Sequence, residues 1–170
     1  MRFLKPLSLL MFLLAVLHAE KIGYVNTFEI RTQLKEYQEA EETLKKETSE
    51  WESKAREMKK EIEDMKIEVE KKRLLLNPQK VKEYDLQVQE KQMVYQQYLN
   101  EIWGENGKIF QREKELTKPI TDRILSVIKD VAVEQKYTMV FDVYQANVVY
   151  AQQETNLTQE VIKKLTQKLE

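Results

Sequence analysis

The chain has 170 residues, with 28 Lys+Arg, 29 Asp+Glu, no Cys, and only three Gly and three Pro. So little Gly and Pro excludes a collagen, a disordered linker or a turn-rich all-β sandwich, and the missing Cys excludes a disulfide framework, thiol catalysis and Cys-ligated zinc. A formal charge of −1 gives no case for a nucleic-acid partner.

Arg2 and Lys5 precede an apolar run, Leu7 to Leu17, that ends at Leu17-His18-Ala19. A basic start, a run of this length and a small residue at its end describe a secretory signal peptide over 1–19, cut after Ala19. The run is shorter than the roughly 20 residues needed to cross a bilayer; a retained interfacial anchor is the alternative. Export across a membrane is therefore expected. Removing 1–19 takes away Arg2, Lys5 and His18, leaving 26 basic against 29 acidic residues, a charge of −3, and no histidine. His general bases, Ser-His-Asp triads and His-ligated metals are thereby excluded, and no enzymatic activity is expected.

Lys21-Ile22-Gly23-Tyr24-Val25 alternates Ile22 and Tyr24 on one side and predicts a short strand. Asn26-Thr27-Phe28-Glu29 has the form of a capping box, with Val25 and Ile30 as a hydrophobic staple, so a helix should start near Thr27. A 4-3 repeat follows. Its a-type positions are Ile30, Tyr37, Leu44, Trp51, Met58, Met65 and Lys72, and its d-type positions are Leu34, Glu41, Thr48, Ala55, Ile62, Val69 and Leu76. Neither Gly nor Pro interrupts it, and the intervening positions are dense in Glu and Lys. This is a coiled-coil signature over about 70 Å of helix. Met58 and Met65 belong to its seam.

Asn77-Pro78 stops the first helix and starts a second, with Asn77 as the cap. Val81, Val88, Tyr95, Ile102, Ile109 and Leu116 then stand seven apart in one apolar row. Two long amphipathic helices and a tight turn predict an antiparallel hairpin. The second arm should reach from Pro78 to about Lys118, roughly 60 Å. Gly104 and Gly107 lie inside it, at about 1 kcal/mol each relative to Ala. Because the row stays in phase across them, the arm is read as continuous but softened, with a candidate hinge at Gly104 and Gly107; a helix end with a loop is the alternative.

Lys118-Pro119 predicts a kink or a fresh start, followed by a helix with Ile120, Ile124, Val127, Ile128 and Val131 on its apolar side. Tyr137 to Val143 predicts a strand with Met139, Phe141 and Val143 on one side. Asn147 to Ala151 predicts another, with Val148 and Tyr150 alternating. Asn156 or Thr158 caps a last helix that buries Val161, Ile162, Leu165 and Leu169.

The expected fold class is α+β, mostly α: a long antiparallel coiled-coil hairpin projecting from a small β-containing oligomerisation body. The hairpin takes residues 30–116 with its tip near 74–80, and the body takes 20–29 plus 117–170. The candidate oligomer surface is Ile22, Tyr24, Val140, Phe141, Val148 and Tyr150, since so small a sheet leaves unpaired edges. Leu99, Trp103 and Phe110 form a second apolar stripe, either packed on the body or, as the resemblance described below implies, open as cavity and client contacts. At the tip, Lys71, Lys72, Arg73, Lys80 and Lys82 are candidate contacts to anionic lipid or acidic client segments; a solvated tip kept soluble by charge is the alternative. No Gly-rich phosphate loop and no other cofactor motif is present.

With these elements in this order, the chain resembles the Skp/OmpH family of periplasmic chaperones. The resemblance rests on Ile22-Gly23-Tyr24-Val25-Asn26, on Ala132-Val133-Glu134-Gln135-Lys136-Tyr137, on Val140-Phe141-Asp142, on Val148-Val149-Tyr150-Ala151 and on Leu157-Thr158-Gln159-Glu160-Val161-Ile162. It implies a homotrimer, whose small barrel-like body carries three hairpins around a cavity. The implied activity is ATP-independent holding of unfolded outer-membrane β-barrel proteins, with no cofactor and with an anionic membrane surface as a further partner. The competing expectation is an envelope coiled-coil spacer or adaptor that docks one partner through its tip. The chain departs from the family where Asn26 and Asn156 replace a common Asp, where Lys136 replaces a common helix-closing Gly, and in its mildly acidic charge.

Overall fold

The computed structural model describes residues 20–167; the segment 1–19 that the sequence reads as a signal peptide, and Leu169 of the predicted last helix, lie outside them. The chain is mostly helical and divides into two compact units, one formed by its two ends up to Ile30 and from Ser126, the other by Arg31–Leu125.

In the first unit, strand β1 (Ile22–Val25) pairs in parallel with β2 (Met139–Asp142), in the register Ile22↔Met139 to Val25↔Asp142. On its other side β1 meets Asn156 in an isolated parallel bridge, where Leu157 N donates to Tyr24 O at 2.8 Å. Helix α1 (Thr27–Gln33) starts as the sequence predicts, since Asn26 Oδ1 accepts from Glu29 N at 3.1 Å. Asn26 N donates to Thr158 Oγ1 (2.9 Å), which ties α1 to the start of α5 (Thr158–Gln167). Asp142 closes the same corner: its carboxylate accepts from Thr27 N (3.1 Å), Thr27 Oγ1 (2.6 Å) and Tyr144 N (3.1 Å). Around this corner Val25, Ile30, Val127, Val131, Leu157, Val161, Ile162 and Leu165 are buried as a small core.

The second unit is the hairpin. Helix α2 (Lys35–Lys72) lies against α3 (Pro78–Trp103) and the first part of α4 (Lys108–Glu134). Cross-arm pairs run Arg73–Asp85, Glu61–Lys91, Trp51–Tyr98, Glu47–Arg112 and Glu36–Arg123: as one number falls the other rises, which defines antiparallel arms. Ala55, Ile62 and Val69 of α2 are buried, as are Val88 and Ile102 of α3, so both predicted apolar rows meet in the seam. Asn77 caps α3 with its side chain on Lys80 N at 2.8 Å, and Pro78 is the first helical residue.

Several local expectations are corrected. The first helix is not continuous from Thr27. It breaks at Leu34, whose backbone is extended (φ −87°, ψ 120°) while its side chain is buried. No Gly or Pro marks the place; burial of Leu34 overrides helix propensity there. The second arm is also broken, between Trp103 and Lys108. Gly104 ends α3 in an extended conformation with its N–H on Asn100 O (2.8 Å), and Gly107 N reaches Gly104 O (2.8 Å). A Cβ on Gly104 would stand 2.3 Å from Asn100 O, and one on Gly107 2.4 Å from Ile102 O, so the loop is built on the absence of side chains.

Pro119, by contrast, interrupts nothing: α4 runs through it from Lys108 to Glu134. The proline is exposed, so the carbonyl left without its usual donor is within reach of water. Residues 147–150 form no strand, because among the described residues no neighbour offers them a ladder. Lys136 makes the turn after α4 at φ 60°, with Tyr137 N on Ala132 O (2.8 Å) and Lys136 N on Val133 O (3.2 Å). That is a Schellman closure with lysine in the position glycine prefers.

Candidate functional site

Three surfaces gather the residues singled out in the sequence. The first is in the unit of the two chain ends. Ile22, Tyr24, Phe141, Val148 and Tyr150 line one cleft of about 380 Å³ with Gly23, Ala146, Ala151 and Thr155. Five of the six candidate oligomer residues therefore meet; Val140 does not line it, since alternation along β2 turns it to the opposite face. The side of β2 that carries Met139 and Phe141 is its more open one: both are exposed, while Val140 is half-buried. Tyr150 at the cleft is 82% exposed, and Val149 outside it 99%. Gly23 lets the sheet close: a Cβ there would lie 2.8 Å from the Tyr137 ring. Lys21 holds that ring from the far side, 4.0 Å from its centroid, while Lys21 Nζ donates to Gln135 O (3.1 Å) at the end of α4.

The second surface flanks the break in the hairpin. Trp103 and Phe110 are 42% and 51% exposed and Leu99 is half-buried. Trp103 meets the Tyr98 ring edge-on at 6.5 Å, and the Tyr98 hydroxyl donates to Trp51 O across the seam (3.3 Å). Burial pushes the Tyr98 hydroxyl pKa up, with the nearby Lys108 charge opposing it. Lys108 straps the loop through Glu101 at 2.6 Å. That hydrogen bond, and then the Lys108 charge, hold the Glu101 carboxyl below its ordinary range, while Lys108 is raised in turn. Beyond the break, Arg112 grips Glu47 with two nitrogens (2.8 and 3.0 Å) and also meets Glu115 (3.1 Å), which together raise its pKa. Gly104 and Gly107 thus sit between a clamped α3 end and a clamped α4 start.

The sequence reading missed a further apolar region of the arms. A cleft of about 390 Å³ opens beside the seam between Met58, Ile62, Met65 and Val94, edged by Glu61, Gln87, Glu90 and Lys91. Met58 and Met65 are half-buried rather than enclosed, and Leu86, Met93 and Val94 are exposed on α3. Their signal was available: all three stand outside the Val81–Leu116 row on a helix otherwise rich in Gln, Glu and Lys.

The third surface is the hairpin tip. Lys72 pairs with Glu68, Arg73 with Glu70 (2.9 Å) and Asp85 (3.3 Å), and Lys80 with Glu83 (2.8 Å). The hydrogen bond from Lys72, and then its charge, hold Glu68 low, and Lys72 and Lys80 are raised by their partners. Lys71 and Lys82 make no ion pair among the described residues. Also among the described residues, no group of three His, Cys, Asp or Glu is placed to hold a metal ion, and no helix is long and apolar enough to cross a membrane.

A family model described as outer membrane protein, OmpH-like, matches residues 21–165. The chain belongs to the OmpH-like family. A solved structure of an OmpH-like protein from Caulobacter crescentus CB15, described as an outer membrane chaperone, is similar to it in fold: TM-score 0.73 at 12% identity, over 86% of this chain and 84% of that one. No curated protein matches the sequence. For this OmpH-like chain the match takes in all three surfaces, from the cleft of β1 and β2 to the hairpin tip.

Proposed function

We propose that this OmpH-like protein is a periplasmic holdase: it binds unfolded outer-membrane β-barrel proteins along its helical arms and suppresses their aggregation, without ATP. The observation that carries this reading is the flank of the hairpin. Val94 borders the Met58–Met65 cleft, and Leu86, Met93, Trp103 and Phe110 stay exposed at other points along the second arm, interleaved with charged and amide side chains. Such an arm offers an unfolded chain many small apolar contacts. Each is worth about 1 kcal/mol when half a side chain is covered, and none is directional. Nothing in that chemistry selects one partner sequence, as a spacer docking a single partner would need.

The same reading makes the protein a homotrimer. Ile22, Tyr24, Phe141, Val148 and Tyr150 present contiguous apolar surface in a single chain, and residues 147–150 are left without a strand partner. Further copies would supply both cover and ladder.

The test dilutes a urea-unfolded β-barrel protein into buffer with the purified protein and follows light scattering. Near-stoichiometric suppression, unchanged by ATP and weakened by Trp103→Ser with Phe110→Ser, is the expected result. Scattering identical with and without the protein would refute the reading and favour the spacer. Light scattering of the protein alone reads subunit number; a monomer at micromolar concentration would refute the trimer.

A further inference from the structure

We infer that Asn106 is a site of spontaneous covalent modification: its side chain closes on the backbone nitrogen of Gly107, loses ammonia and leaves an isoaspartyl or aspartyl residue in the break between α3 and α4. A side chain on the following residue obstructs this ring closure, and glycine has none. After residue 19 the asparagines are Asn26, Asn77, Asn100, Asn106, Asn147 and Asn156, and Asn106 alone precedes a glycine. The structure separates them further. Asn26, Asn77 and Asn156 spend their side-chain oxygens on Glu29 N, Lys80 N and Thr158 N, at 3.1, 2.8 and 2.9 Å. Asn100 lies inside α3, where the next backbone amide belongs to the helix ladder, and Asn147 precedes the branched Val148. Asn106 is exposed in the turn. Its main-chain carbonyl accepts from Gln111 Nε2 (2.9 Å), while its side-chain amide has no hydrogen bond among the described residues.

The chemistry needs only the chain and water. Gly107 N gives its proton to a solvent base and bonds to Asn106 Cγ; the Cγ–Nδ2 bond breaks, and Nδ2 takes a proton from water and leaves as ammonia. Water then opens the cyclic imide. Attack at Cγ gives aspartate. Attack at the main-chain carbonyl carbon gives isoaspartate, whose backbone runs through Cγ and is longer by a methylene. The structure also shows what delays the first step. Gly107 is buried and its N–H donates to Gly104 O (2.8 Å), so the nitrogen is available only when that bond opens. The Lys108–Glu101 strap (2.6 Å) holds the same loop shut. Glu101, Asn106 and Lys108 line one cleft of about 500 Å³, so the new carboxylate competes with Glu101 for Lys108. The product thus weakens the restraint that delayed its own formation.

The modification involves no client, and its test is independent of the holdase reading. The purified protein is incubated in mildly alkaline buffer, folded or unfolded in urea. Proteolytic peptides are followed by mass spectrometry, and isoaspartate is counted by enzymatic methylation of its free α-carboxylate. In the folded protein Asn106 should convert ahead of the other asparagines, and more slowly than in urea. Lys108→Gln should raise the folded rate, relative to its own rate in urea, about two- to fivefold. Asn106→Gln, whose longer side chain closes its ring far more slowly, should stay unmodified at that position. Helical circular dichroism, unchanged in the variants before incubation, keeps folding out of the comparison. Asn106 left intact in the folded protein while the urea-unfolded chain is converted, another asparagine converted first, equal rates folded and in urea, or a wild-type rate in Lys108→Gln would each overturn the assignment.

Discussion

Removing the carboxylate of Asp142 should unlock the corner where α1 begins. Thr27 is only 4% exposed, and both its N–H and its hydroxyl end on Asp142, at 3.1 and 2.6 Å. In Asp142→Ala both donors lose their acceptor in a place water reaches poorly, at about 1–3 kcal/mol for each buried group left unpaired. Because Asp142 is itself only half-buried, water entering the vacated space recovers part of this, so the expected loss is about 2–4 kcal/mol. Asp142→Asn keeps one carbonyl acceptor and should cost about half as much. Urea unfolding by circular dichroism, at one fixed protein concentration, gives the values. The decisive measurement is the cycle with Thr27→Val. Once the carboxylate is gone, the hydroxyl is a buried liability, so Thr27→Val should be destabilising in the wild type and neutral or stabilising in Asp142→Ala. Additive effects of the two substitutions, or a cost below about 0.5 kcal/mol for Asp142→Ala, would refute the reasoning.

Lys136→Gly should stabilise the protein by about 0.5–1 kcal/mol, since it relieves a left-handed lysine costing about 1–2 kcal/mol and returns part of that as unfolded-state entropy; an unchanged or lower urea midpoint would show that the turn is not left-handed in solution. Gly23→Ala should cost about 1–3 kcal/mol through the clash with the Tyr137 ring, and distinctly less in a Tyr137→Leu background, by the same assay. Gly104→Ala with Gly107→Ala has no room in the loop, so the segment must either regularise into helix or lose protection; amide exchange over 103–108 should change in one of these directions, and wild-type exchange there would contradict the geometry. The Glu101–Lys108 strap has a defined pH dependence. Because the folded carboxyl is depressed, the contribution is present above the ordinary carboxylate range and disappears only as pH falls through the lower folded value. Lys108→Gln should therefore speed exchange in the loop at neutral pH, and the difference from wild type should close only in acid.

Periodicity carried the hairpin. Val88 and Ile102 are buried where a seven-residue row puts them, and Asn77-Pro78 marks the turn because a cap and a proline act through the backbone of their own neighbours. What periodicity could not show is whether the backbone beneath a row is continuous. Ile102 and Ile109 keep their spacing across Gly104–Gly107, yet the helix between them is broken, because a loop that returns the chain to the same side preserves the pattern. Leu34 occupies a regular position and breaks the helix all the same, for a reason that lies in what it packs against. Pro119 errs in the other direction: on an exposed face a missing N–H is tolerated. The Lys136 turn was legible as a problem, a helix end lacking its glycine, and its solution is the strained one. The alternation of Met139 and Phe141 was legible too, while the sequence carried no indication of which way that side faces. An apolar side of a strand signals burial against something, and a single chain does not say whether that something is its own core or another molecule.

The three exposed apolar regions differ in the charge around them, and that difference separates what each can hold. The cleft of β1 and β2 joins Ile22, Tyr24, Phe141, Val148 and Tyr150 with few ionised neighbours, so association there gains area without desolvating charge and should persist in high salt. On the hairpin arm Leu86, Met93 and Val94 are interleaved with Gln87, Glu90, Lys91 and Gln92, which keeps any one contact too weak to hold a folded partner and lets many of them hold an unfolded one. At the apex Leu74 and Leu75 lie between Lys71–Arg73 and Lys80–Lys82, with no acidic residue in that stretch of sequence, so any attachment to an anionic surface there should weaken with ionic strength. Oligomer mass, client suppression and vesicle binding measured across one salt series should consequently separate: the first flat, the last steep. A common salt dependence would mean that a single surface, and not three, performs all of them.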